Sequence, residues 1–364
     1  MIDVLDYGAI SDGVTDSTAA FQAALDEAAK INGTVTVPPG VYLCNQLKMH
    51  PRTAIVGSPS WSYRGEPGGS VINLLSGDND CLLDITHAYG ATIKGMYLDG
   101  SSLGENIHGI CVNKSDYGVQ EDTPQIEDCY IGSFSGDGVH LMRIWCFSIR
   151  HCMVGRNKGH GLFFAGWDGF ILDCWFSGNK GYGIMAGTEV EENASNTLTG
   201  NRIEWNKGGI RIINGSKWNI TGNYFDRAST SGIHIGGGWR RSDTMAITGN
   251  VIYRSGALVA NWPEDMDEHE NCHVFLDGCD NIVFTSNSMM LGQDDGNVGE
   301  FSPLYGMVLR DLKNCIVKDN VGMDSCLKKF LVDLGRHGGD IKIADNLGRG
   351  KEESRRGMFP LPPL

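Results

Sequence analysis

The sequence predicts an all-β solenoid, a parallel β-helix closed at its N-terminus by a capping helix. Three observations carry that reading. The first is a repeat of 22 to 27 residues running from about Gln125 to Gly256. Segments beginning at Ile171, Leu198 and Ile220 each show a short apolar strand, then Cys or Asn, an apolar pair, a polar turn and a Gly-Ile step. Cys129, Cys152, Cys174, Asn201, Asn223 and Asn250 hold one slot in successive repeats, and Asn287 and Asn320 continue it at wider spacing. A fixed period with strands too short to bury a face alone is the mark of stacked coils. The second observation is alternation of period two: Ile210 and Ile212 face in and Arg211 out, Ile233 and Ile235 in and His234 out. The third is the 50 glycines, which suit a turn at every corner of a coil without implying disorder. A β-propeller would need about forty residues per blade, so the period argues against it.

The recurring slot has a physical use. A buried amide can bond the same amide in the coils above and below, about 4.8 Å away, which satisfies a polar group inside a turn. Cys fits the slot as a small hydrophobe. The cysteines, eleven in all, therefore read as core filler rather than a disulfide framework.

Taken in order, residues 1–32 form a cap. Thr15 to Ser17 offer N-cap residues, and the helix that follows to about Lys30 carries Phe21, Leu25 and Ala28 on one face. Such a helix covers the open end of the first coil. The opening from Asp3 to Leu25, followed by Thr34 to Tyr42, resembles the pectate-lyase-like superfamily of right-handed parallel β-helices. That group includes polygalacturonase-type glycosidases, phage tailspike depolymerases and inulin fructotransferases. The resemblance implies a right-handed parallel β-helix over residues 33–347 and an activity on carbohydrate. Gln46 to Ser76 is irregular, with Trp61, Tyr63 and Arg64 in a loop rich in Gly, Pro and Ser. Ala257 to Cys272 and Leu291 to Pro303 are acidic insertions at one corner, where loops on a rigid scaffold wall a cleft. Residues 348–364 are a tail, basic and then rich in proline.

Charge narrows the partners. A net charge of −14 and a pI near 5.1 argue against nucleic acid or an anionic membrane and favour a neutral or weakly charged substrate. The lack of any Cys-x-x-Cys pair gives no zinc site, and the sequence calls for no metal or cofactor. With neither a signal peptide nor an apolar run near 18 residues, the chain reads as cytoplasmic, or as a secreted protein whose leader was removed.

Chemistry is expected where residues repeat on one corner. Asp137, His160 and Tyr182 each precede a strand-opening glycine, and one coil separates each from the next. The phrases around Asp137 and His160 resemble two successive motifs of the polygalacturonases, which implies an Asp as general acid with an assisting His. The adjacent Asp pair of that family is absent here. Glu204 and Asp226 share an offset from the repeating Asn, which sets two carboxyl groups about 5 Å apart, the separation of a retaining glycosidase. Glu189 and Glu192 crowd one lengthened turn; the inulin fructotransferase resemblance implies an acid there. Trp167, Arg211, His234, Trp239 and Arg240, with Tyr182, are the candidate substrate-binding groups, since sugars need aromatic faces beside directed polar groups.

The expectation is therefore a carbohydrate-active enzyme that cleaves glycosidic bonds of an oligo- or polysaccharide by carboxylate acid–base catalysis. The alternatives are an intramolecular fructosyl transferase, a polyuronate lyase or epimerase, and a non-catalytic glycan-binding tailspike or adhesin module. Proteins with this fold often form trimers, so a homotrimer is expected.

Overall fold

The computed structural model describes residues 2–58, 68–258 and 262–356. It is a right-handed parallel β-helix, all-β apart from a helix near each end of the described chain. Trp61, Tyr63 and Arg64 lie outside the described residues. Among those described, no helix is long and apolar enough to cross a membrane. The coils group into two compact units, one comprising residues 1–187 and 191–201, the other 188–190 and 202–364.

In the first unit the cap forms as the apolar spacing dictates. The helix Thr18–Ile31 buries Ala20, Phe21, Ala24, Leu25 and Ala28, and Phe21 meets Tyr42 edge-on at 5.2 Å. Its first N–H is satisfied differently from expectation. Ser17 holds the N-cap position but turns its hydroxyl to Ile10, and Asp16 accepts from Thr18 instead. Behind the cap, each coil adds a strand to parallel sheets. Ile110, Val139, Leu162 and Ile184 are register partners in a single inward file, all fully buried. Burial of such a file supplies about 2 kcal/mol per side chain, enough to order strands that have no stability alone.

The second unit repeats the plan with Ile210, Ile233, Val274, Met307 and Leu331 in register. The insertions appear where the spacing lengthens. Glu268–Glu270 forms a short helical turn, and Gly292–Asp294 pairs antiparallel with Val298–Ser302. The start of the expected tail folds as a short helix, Lys351–Arg356.

The recurring slot is a column of hydrogen bonds. In the first unit Cys152 N–H donates to Cys174 Sγ at 3.4 Å, and Cys174 N–H to Asn201 Oδ1 at 2.9 Å. In the second, the side-chain amides run Asn223 to Asn250, Asn287, Asn320 and Asn346, each donating to the next at 2.8 to 3.0 Å. The column thus continues past Asn320, to a residue the spacing had not marked. The residue before each slot is left-handed, with φ of 66° at Gly222 and Gly249, which is why Thr-Gly-Asn recurs. One cysteine expectation is corrected. The slot cysteines are free and buried, but Cys81 and Cys111, on two paired strands, form a disulfide.

Candidate functional site

The first unit brings four coil corners together. Asp137 lies between His108 of the preceding coil and His160 of the following one. The Asp137 N–H donates to His108 Nδ1 at 2.9 Å, and the His160 N–H donates to Asp137 Oδ1 at 2.6 Å. His140, an outward residue of the strand Val139–Arg150, donates from Nδ1 to Asp137 Oδ2 at 2.8 Å. The Tyr182 N–H donates to His160 Nδ1 at 2.9 Å. The glycines of these phrases make the packing possible. A Cβ on Gly136 would sit 2.7 Å from His108 Nδ1, one on Gly159 2.3 Å from Asp137 Oδ1, and one on Gly181 2.6 Å from His160 Nδ1. Each glycine is the floor on which the side chain of the coil before it lies.

The bonds assign tautomers. His108 accepts at Nδ1, so its proton is on Nε2; the same holds for His160. His140 directs Nδ1 to Asp137 as donor, which in the neutral ring leaves the lone pair on Nε2. The rings of His108 and His140 stack at 4.2 Å and 27°, and Phe163 continues the pile at 4.6 Å. Burial, with the adjacent His140, pushes the His108 imidazole down to about 4, so it is neutral at pH 7. Burial works against the Asp137 carboxylate, yet the His140 hydrogen bond and the flanking imidazoles hold it below the usual range.

His108 and His140 line a cavity of about 390 Å³ together with Lys48, Asp80, Asp84, His87 and Asn106. His108, Asp137 and His140 offer ligand atoms all within 4.8 Å of one another, a span that a cation could in principle bridge. The nearly parallel rings direct their in-plane lone pairs side by side rather than to one point, and both Nδ1 atoms are already engaged. The neutral tautomers thus leave a lone pair on His140 Nε2 beside an N–H on His108 Nε2. His108 was missed in the sequence, although His108-Gly109-Ile110 repeats the phrase of Asp137-Gly138-Val139.

The other candidates take different places. Trp167 stacks on Tyr117 at 3.9 Å in the first unit, beside Glu191, which pairs with Arg143. Glu192 lies close enough to Tyr117 to help raise its phenol, which burial pushes up to about 12. Glu189 is exposed in the second unit. Glu204 and Asp226 are register partners there, as their common offset required. Their carboxylates, however, are buried and turned to arginines. Asp226 takes two bonds from Arg254, at 2.7 and 2.9 Å, and Glu204 takes one from Arg202 at 2.7 Å. Arg227, next to Asp226 in the chain, pairs with Asp294. Asp226 is thus held in a buried ion pair and Glu204 in a part-buried one. Arg211, His234, Trp239 and Arg240 also lie in the second unit; Arg240 pairs with Asp243 and Trp239 is exposed.

With the fold and this geometry in place, known proteins add context. The family model described as right handed beta helix region matches residues 82–252 and 187–346, and the chain belongs to that family. Mannuronan C5-epimerase AlgE5 of Azotobacter vinelandii is 27% identical over 264 residues, covering 65% of this chain and 24% of that protein. The chain thus spans about a quarter or less of the curated relatives it matches. Among solved structures, the A-module of A. vinelandii mannuronan C-5 epimerase AlgE4 aligns with a TM-score of 0.67 at 18% identity, over 96% of this chain and 98% of that one. A DFA-IIIase from Arthrobacter chlorophenolicus A6, in complex with GF2, aligns with a TM-score of 0.66 at 14% identity, over 95% and 97%. At these identities the structural likeness speaks for the fold.

Proposed function

We propose that the chain is an enzyme acting on an oligo- or polysaccharide, and that its chemistry is proton transfer at the carbon next to a uronate carboxylate. The observation that carries this is the pair of opposed tautomers, His140 Nε2 unprotonated and His108 Nε2 protonated, on stacked rings lining one cavity. In this reading His140 removes H5, and the C–H electron pair moves into the carboxylate as an enediolate. Asp137 stabilises the imidazolium that forms. Lys48, the ammonium among the lining residues, meets the substrate carboxylate. The neutral His108 Nε2–H donates a hydrogen bond to the enediolate, and return of a proton to C5 from water on the opposite face inverts the centre. Loss of the O4 substituent instead gives elimination. The curated relatives named as mannuronan C5-epimerases support the uronate substrate, and the locked Glu204–Asp226 pair weighs against a two-carboxylate glycosidase.

Hydrolysis is the second reading, favoured by Asp80 and Asp84, two carboxylates on the same cavity. One experiment separates the two. Mannuronan is incubated with the protein in D₂O, and products are read by NMR, ultraviolet absorbance and mass. Proton transfer places deuterium at C5, and elimination adds an absorbing double bond. His140→Ala lowers either rate by about 10²–10⁴-fold. Chain cleavage with water added and no deuterium at C5 would refute the proposal in favour of hydrolysis.

A further inference from the structure

The second unit holds a polar cluster that the proposed reaction does not use. Arg211, His234 and Phe275 are register partners on three successive strands. The His234 ring stacks on Phe275 at 4.8 Å and is only 6% exposed. Its Nδ1 is buried with no hydrogen-bond partner. The facing acid is Glu270, at the end of the short turn Glu268–Glu270, with Oε2 at 3.9 Å. That is too long for a hydrogen bond. Burial holds His234 neutral, with Arg211 and Arg310 adding to the effect, and burial raises the Glu270 carboxyl.

An orphaned buried nitrogen beside a carboxyl is a costly arrangement unless a third group completes it. An oxygen about 2.8 Å from both atoms would do so, and a hydroxyl can accept from one while donating to the other. The surrounding charges select a neutral ligand. Arg310 is bound twice by Asp277 at 2.8 Å and reaches Asp267 at 3.5 Å. Arg211 donates from Nη1 to the carbonyls of Gly236 and Ile212. Both guanidinium groups are thus engaged by the protein, and Asp267, Asp277 and Glu270 balance their charge. Asp277 also lines a cavity of about 340 Å³ with Trp239, Arg240, Arg241 and Asp311. There the Trp239 indole is 63% exposed, while Arg240 and Arg241 are paired with Asp243 and Asp311. A free aromatic face beside a site that demands a hydroxyl is the chemistry of saccharide recognition.

We propose that the His234–Glu270 pair and the Trp239 cavity form a second saccharide site in the second unit, taking a short oligosaccharide of neutral hexoses. One residue stacks on Trp239, and a hydroxyl of another bridges His234 and Glu270. The site does not depend on uronate chemistry at His140. The test uses the full chain carrying His140→Ala, titrated calorimetrically with maltotetraose, cellotetraose, mannotetraose and tetramannuronate. Binding of a neutral tetraose is expected, weakened about tenfold or more by Trp239→Ala and by Glu270→Gln. The first change is at an exposed ring and the second preserves shape, so neither threatens folding. The site is overturned if no neutral tetraose binds below roughly 10 mM, or if binding survives both substitutions. Preference for tetramannuronate, lost in the same variants, would overturn the neutral ligand class. None of these outcomes bears on deuterium incorporation at C5, so the two proposals stand or fall separately.

Discussion

Replacing Asn287 by Ala tests the column that holds the coils in register. Asn287 Nδ2 donates to the carbonyls of Ile247 and Thr285 at 3.1 Å and to Asn320 Oδ1 at 3.0 Å. Its Oδ1 accepts from the Asn250 backbone N–H at 3.0 Å and from Asn250 Nδ2 at 2.9 Å. After truncation Asn250 Nδ2 still reaches Ile220 and Thr248, but the buried Asn250 N–H loses its acceptor. That orphan costs about 1–3 kcal/mol, and the lost bonds to carbonyls add about 1 kcal/mol each. The sum, about 3–5 kcal/mol, is a large share of a typical domain's stability. Asn346→Ala, at the half-exposed end of the same column, leaves groups that water can reach and costs about 1–2 kcal/mol. Urea unfolding followed by circular dichroism reads both as a shift in midpoint at constant slope. A cost below about 1 kcal/mol for Asn287→Ala, or one equal to that of Asn346→Ala, would refute the reasoning.

Two further predictions concern the site. Gly159→Ala places a methyl against Asp137 Oδ1 and the Gly136 backbone, so Asp137 shifts from His140 and activity falls about 10²-fold in a folded protein. Gly338→Ala, in open space, leaves the rate unchanged, and steady-state kinetics compare the two. Stability also responds to pH. His108 and His273 each have a folded value of about 4 against 6.5 in the unfolded chain, so between those values the unfolded chain binds protons that the folded one refuses. Stability therefore falls as pH drops through that window, by about 3 kcal/mol for each histidine. Urea midpoints at pH 7 and pH 4.5 measure the loss, and His108→Gln should remove about a third of it, because His234, also held neutral by burial, contributes in the same direction.

The fold was legible because a solenoid writes its tertiary neighbours into the spacing of the chain. Cys152 and Cys174, or Asn250 and Asn287, could be matched by offset alone, and so could Glu204 with Asp226. What the offset could not give was the direction of the side chains. Asp226 turns to Arg254, 28 residues on, and nothing in its own repeat marks that partner. His108 escaped for a related reason. It lies 29 residues before Asp137, off the local period, and lacks the leading glycine of the phrases around Asp137 and His160. Glu270 lies inside an insertion, where the repeat gives no offset to place it against His234. Asn346 closes the column two residues beyond the last strand that hydrophobicity alone defines. The Cys81–Cys111 pair was hidden because cysteine elsewhere in this chain serves as filler.

The most direct measurement of the central claim is the protonation of the ring nitrogens themselves. In ¹⁵N-histidine-labelled protein at pH 7, long-range ¹H–¹⁵N spectra, assigned with His108→Gln and His140→Gln, should show His140 protonated at Nδ1 and His108 at Nε2. His108 should stay neutral until the pH approaches 4. A His108 that titrates near its ordinary value, or a His140 carrying its proton on Nε2, would contradict the account, because the cavity would then hold no base beside its donor.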